Sequence, residues 1–210
     1  LISNGTVVDG TGGPAFKADV RVRDGIITEV GANLAPQGER VFDATGCQVT
    51  PGFIESHTHY DGTMWWQPDL DPLPGYGATT MIMGNCGFSP APLHKYMPAQ
   101  REMIGIFSFF EDIPEGPFMT NLPWDWNKWS EYRASTERHV RVPLNYAAYV
   151  GHIAIRLAAM GVEAWDREAT PEEIAKIVAF LKTLTGDQPN FKMPILPPST
   201  NDTPKPKPFG

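Results

Sequence analysis

The stretch Pro51-Gly-Phe-Ile-Glu-Ser-His57-Thr-His59-Tyr-Asp61 decides how this chain is read. Pro51-Gly52 marks a boundary, and a strand starts afresh after it with Phe53 and Ile54, which read as buried. That strand runs into two histidines two positions apart. Residues i and i+2 of a strand point to the same face, so His57 and His59 aim both imidazoles at one point past the strand's end. Asp61 continues the alternation if the strand persists that far. Neutral imidazole is the commonest metal-binding side chain, and two converging rings are half of a zinc shell. The competing reading is a chance His-x-His with both rings bonded to backbone carbonyls, and the motif by itself does not separate the two. The turn and strand in front of it favour ligation.

Residues 1–50 read as all-β. Thr6-Val-Val8 is a short strand, and Asp9-Gly-Thr-Gly-Gly-Pro14 is a turn cluster. Ala18-Asp-Val-Arg-Val-Arg23 alternates apolar and charged residues, as a half-buried strand does. Asp24-Gly25 then turns the chain into Ile26-Ile-Thr-Glu-Val30, a hairpin signal. Val41-Phe-Asp43 and Cys47-Gln-Val49 add further strand. Together they predict part of a small β-sandwich. Cys47 lies in this apolar setting, where packing is a better expectation than ligation.

From residue 51 to 185 buried strands alternate with helical stretches, which predicts an α/β fold with a parallel sheet. The expected strands are 53–58, 78–84 and 144–151, each near-continuously apolar as strands covered on both faces must be. Helices are expected within 98–109 and 126–138, at 153–160 and at 171–185. The last has Thr170 as N-cap, Pro171 as first residue and Glu173 closing a capping box, with Gly186 as its stop. Its stripe of Ile174, Ile177, Val178, Leu181 and Leu184 reads as core packing. Residues 111–132 read as an irregular aromatic insertion whose tryptophans either line a substrate mouth or staple the loop to the barrel wall. Residues 186–210 hold seven prolines, which predicts an extended tail.

Composition narrows the partners. The 210 residues are 41% hydrophobic and 20% charged, as in a globular protein with one good core and a smaller satellite. A net charge of -7 without a basic block argues against nucleic acid or an anionic membrane as partner. No apolar run approaches the ~20 residues of a membrane-spanning helix. The two cysteines make no disulfide framework, so a reducing, cytoplasmic setting is expected. The chain opens on Leu1, mid-strand, and the natural start is expected to lie upstream.

A third donor follows the second expected strand, in Gly84-Asn-Cys86-Gly87. Glycines on both sides permit sharp turns. A cysteine at the carboxyl end of a neighbouring parallel strand is placed to meet His57 and His59, because chemistry gathers at that end of βα sheets. Thiolate and imidazole suit zinc together. A buried structural cysteine is the alternative, and the neighbouring His-x-His favours ligation.

Four stretches carry a family resemblance: Gly5-Thr-Val-Val-Asp-Gly-Thr-Gly12, Pro51 to Asp61, Gly77-Ala-Thr-Thr-Met-Ile-Met-Gly-Asn-Cys-Gly-Phe-Ser89 and Val150-Gly-His-Ile-Ala-Ile-Arg156. With them, residues 1 to about 175 resemble the amidohydrolase superfamily, in its N-acyl-D-amino-acid deacylase (D-aminoacylase) branch. The resemblance implies the N-terminal portion of a (β/α)8 barrel preceded by part of a small β-sandwich. It implies a zinc site at His57, His59 and Cys86, and hydrolysis of linear amides in small N-acyl amino acids. It also implies an acid/base aspartate late in the barrel, beyond the last residue here; Asp61 is not assumed to replace it and is expected, at most, to contact substrate or to support the metal donors. His152 is expected either to contact substrate or to bond a carbonyl. Arg156 either pairs with a substrate carboxylate or, as the better expectation, has a surface role on the helix after the third strand. A partial barrel would expose a sheet edge, through which chains self-associate. From about Lys176 the pattern changes, and the last ~35 residues resemble the tail of bacterial di-haem cytochrome c peroxidases, without a Cys-x-x-Cys-His haem motif. The expectations are therefore a zinc hydrolase fragment inactive alone, a non-catalytic chimeric or truncated fragment, or a peroxidase-related protein.

Overall fold

A computed structural model describes residues 1–94 and 99–184. Its contacts divide at Pro51/Gly52 into two compact units.

The first unit is a sheet of β1 (Ile2–Val7), β2 (Phe16–Arg23), β3 (Ile26–Gly31), β4 (Phe42–Asp43) and β5 (Gln48–Val49). The strand order is β3-β2-β1-β4, with β5 also on β1. The β2–β3 hairpin turns at Asp24 and Gly25, both left-handed at φ 50° and 76°. Such a turn matches the twist of the two strands. Val7, Ala18 and Val20 form the buried strip, with Ile2 and Val49 against it. Cys47 departs from expectation: it is exposed. It sits in the turn between two two-residue strands, where its N–H donates to the Ala44 carbonyl at 2.9 Å. So short a turn presents its side chains to solvent.

The second unit starts at Gly52 and holds a parallel sheet of β6 (Phe53–Glu55), β7 (Ala78–Met83) and β8 (Asn145–Ala148) in that order. Helices intervene: α1 (Tyr60–Thr63), α2 (Ala99–Glu111), α3 (Glu115–Asn121), α4 (Trp129–His139), α5 (His152–Met160) and α6 (Pro171–Thr183). This is an α/β fold, the start of a barrel preceded by a β-sheet unit. Central β7 buries Met81 and Met83 fully, against Phe107, Phe118 and Trp126 of the core.

Several local expectations fail here. The first strand stops at Glu55, and α1 occupies the place where Asp61 would have continued the alternation. Phe53 and Ile54 are 60% and 64% exposed, because β6 has a described neighbour on one side only. The α6 stripe is not core either: Ile174, Val178, Leu181 and Leu184 are all exposed. The capping box of α6 does form, with Thr170 N–H donating to Glu173 Oε2 at 2.8 Å and Glu173 N–H to Thr170 Oγ1 at 3.3 Å. The expected stop at Gly186, the tail 186–210 and residue 98 of the expected 98–109 helix lie outside the described residues. Among those described, no helix is long and apolar enough to cross a membrane.

The insertion at 111–132 is more ordered than expected, since it holds α3 and the first turn of α4. Its tryptophans act as staples. Trp126 is 2% exposed and donates its Nε1–H to the Pro90 carbonyl at 2.8 Å, while Trp124 donates to Phe118 at 3.0 Å. Trp126 also stacks on Trp65 and meets Tyr132 edge-on. Removing it opens a cavity the neighbours cannot close, so Trp126→Ala should cost about 3–5 kcal/mol in urea unfolding. A loss under ~1 kcal/mol would mean that the loop is held elsewhere.

Candidate metal centre

The segment beyond β6 is tied to β7 at the residue between the two histidines. Thr58 donates its N–H and its hydroxyl to the Ile82 carbonyl, at 3.1 and 3.0 Å. The Asn85 amide donates to Ile82 and Thr58 carbonyls at 2.9 and 3.3 Å, which fixes the cysteine turn to the histidine segment. Cys86 lies in a 3₁₀ turn with φ 55°, between Gly84 at 74° and Gly87 at 87°. At Gly84 a Cβ would stand 2.1 Å from the Tyr149 carbonyl oxygen, so only glycine fits there.

These ties bring three donors together. His57 Nε2 is 3.2 Å from Cys86 Sγ. Ligand atoms of His57, His59 and Cys86 all lie within 4.8 Å of one another, and among the described residues no other acidic, histidine or cysteine side chain joins that cluster. Imidazoles and a thiol at this spacing fit a tetrahedral ion of zinc's softness. The buried His59 Nδ1 has no hydrogen-bond partner among the described residues. Burial holds the His59 imidazole below its ordinary pKa; Glu111 pulls upward and His57 adds to the fall. The ring therefore stays in the neutral form that binds metals. Phe88 stacks on it at 4.8 Å. The histidines open into a recess of about 480 Å³ lined also by Tyr60, Gln67 and Glu111.

The remaining candidates lie elsewhere. Asp61 turns into the core from α1, and burial pushes its carboxyl up to about 7 despite the nearby Gly84 N–H. Neither of its oxygens has a hydrogen bond of good geometry. His152 is exposed at the start of α5, in a separate cleft with Arg156, Glu168 and Ile177. Arg156 donates to the Ala164 and Arg167 carbonyls at 3.1 and 2.7 Å, a local structural role. Glu111, by contrast, was not read from the sequence: its Oε1 is 3.4 Å from His59 Nε2. An acid ending an apolar helix was its one visible signal.

The sequence profile of the amidohydrolase family matches residues 40–186. The chain belongs to the amidohydrolase family. Within it, N-acyl-D-aspartate deacylase of Alcaligenes xylosoxydans xylosoxydans is 36% identical over 182 residues, 86% of this chain and 33% of the relative. A crystal structure of N-acyl-D-glutamate deacylase from Bordetella bronchiseptica, complexed with zinc and a phosphonate inhibitor mimicking the tetrahedral intermediate, is similar with TM-score 0.69. There the identity is 33%, covering 87% of this chain and 35% of the other. The chain thus spans about a third of the length of these deacylases. Cytochrome c551 peroxidase of Nitrosomonas europaea is 46% identical over 80 residues, 37% of this chain and 24% of the peroxidase. That match is longer than the ~35 residues expected from the tail, and it supports the mixed ancestry read there.

Proposed function

We propose that this chain carries the zinc-binding part of an N-acyl-D-amino-acid deacylase, a cytoplasmic hydrolase of linear amides in small N-acyl amino acids. The observation that carries the reading is the convergence of His57, His59 and Cys86 past β6 and β7. Those three residues would hold the ion. When bound, zinc lowers the pKa of a coordinated water to about 7 and polarises the scissile carbonyl. The chain's own residues do the rest of the work available here. Asn85 and Thr58 fix the donors, Phe88 shields one face of His59, and Tyr60 and Gln67 line the recess where a substrate would enter. Asp61 is buried away from the donors and is not the proton carrier.

The 210-residue chain alone should show no measurable deacylase turnover. Three parallel strands are described where a closed barrel needs eight. Without the late-barrel acid/base aspartate that the resemblance to the deacylases implies, the rate should fall ~10²–10⁴-fold. Joined to a complete barrel, the same region should hydrolyse N-acetyl-D-amino acids faster than their L isomers in a chiral assay. L preference, or activity on cyclic amides only, would overturn the reading. Among the described residues the outer edges of β6 and β8 are unpaired, and with the exposed Phe53 and Ile54 they favour self-association, which sedimentation would report as oligomers. A peroxidase reading would require haem absorbance in the purified protein, and none is expected without a Cys-x-x-Cys-His motif.

A further inference from the structure

We propose that Glu111 belongs to the metal centre as a positioning residue: its carboxylate holds His59 and raises the affinity of the His57–His59–Cys86 site for zinc. The inference rests on reading those three residues as metal donors. Four observations carry it. First, Glu111 lies four residues after Phe107, on the face α2 buries, and its side chain is only 29% exposed. Second, helix stability does not call for it, because a carboxylate in the last turn opposes the helix dipole and no basic residue accompanies it there. Third, among the described residues the one basic side chain within 4 Å of its carboxylate is His59, with Nε2 at 3.4 Å. Fourth, α2 builds the wall behind the same ring: Phe88 stacks on His59, and Phe107 and Phe110 pack on Phe88 at 5.0 and 6.0 Å between centroids. Asp112 then takes a left-handed φ of 53°, which ends the helix with Glu111 held at the recess.

Charge supplies the reason. A neutral histidine does not compensate a half-buried carboxylate, whereas a divalent ion does. Cys86 as thiolate and Glu111 as carboxylate together balance a 2+ charge. Partners that orient a ligating histidine are worth about 10–100-fold in metal affinity.

The test is zinc affinity of the full 210-residue chain, by competition with a chromogenic chelator. Glu111→Gln keeps the shape and removes the charge. It should weaken zinc binding about 10–100-fold. Glu111→Asp, which keeps the charge one methylene back, should recover part of the loss. The cobalt(II) form should show shifted d–d bands in the Gln variant while the thiolate-to-cobalt band persists. Metal-free Gln variant and wild type should share a urea midpoint, which a merely structural role would separate. Zinc affinity within twofold of wild type in Glu111→Gln would overturn the inference, as would an Asp variant no better than Gln. If His57→Ala with Cys86→Ala abolishes zinc while Glu111→Gln does not weaken it, this inference fails and the donor assignment stands. If that double variant keeps its zinc, the donor assignment itself has failed.

Discussion

Zinc in the purified chain should be near-stoichiometric and should fall to background when His57→Ala and Cys86→Ala are combined. The two side chains stand 3.2 Å apart and supply two of the three clustered donors. One imidazole left alone is no tetrahedral site, since structural zinc takes four ligands and catalytic zinc three from protein. Both residues are exposed, and neither packs in the core, so the fold should survive the change. Metal content by mass spectrometry and a urea melt of the same sample separate loss of the site from loss of the fold. A folded double variant that retains its zinc would refute the donor assignment.

Gly84→Ala is the second large effect, and it acts on fold and site together. The residue holds φ 74°, which costs an L-residue about 1–2 kcal/mol. The added Cβ would also meet the Tyr149 carbonyl oxygen at 2.1 Å, so β7 and the segment after β8 must separate. Forcing such an overlap adds ~1–3 kcal/mol. Cys86 sits two residues on and moves with the strain, so zinc affinity should fall with stability. Gly105→Ala is the control: it lies inside α2, and nothing stands within 4 Å of its added Cβ. That change should be neutral or stabilise by about 0.5–1 kcal/mol. Equal urea midpoints for the two variants would show that the turn before Cys86 is not constrained as described.

The sequence by itself determined the features that depend on local chemistry. Asp24-Gly25 dictates its hairpin because left-handed residues are needed there. Thr170, Pro171 and Glu173 dictate the start of α6 because a capping box closes within one turn of backbone. The His-x-His and Gly-Asn-Cys-Gly stretches were legible because each follows a strand, and parallel neighbours bring their carboxyl ends together. Burial and long-range company were decided only by the tertiary structure. Asp61 left the expected face because α1 began where a strand was anticipated. Cys47 and the α6 stripe are exposed because burial depends on which elements come to lie over a residue, and periodicity states only which face is apolar. Glu111 reached His59 through the packing of α2 on Phe88, a contact between segments far apart in the chain that no local pattern encodes.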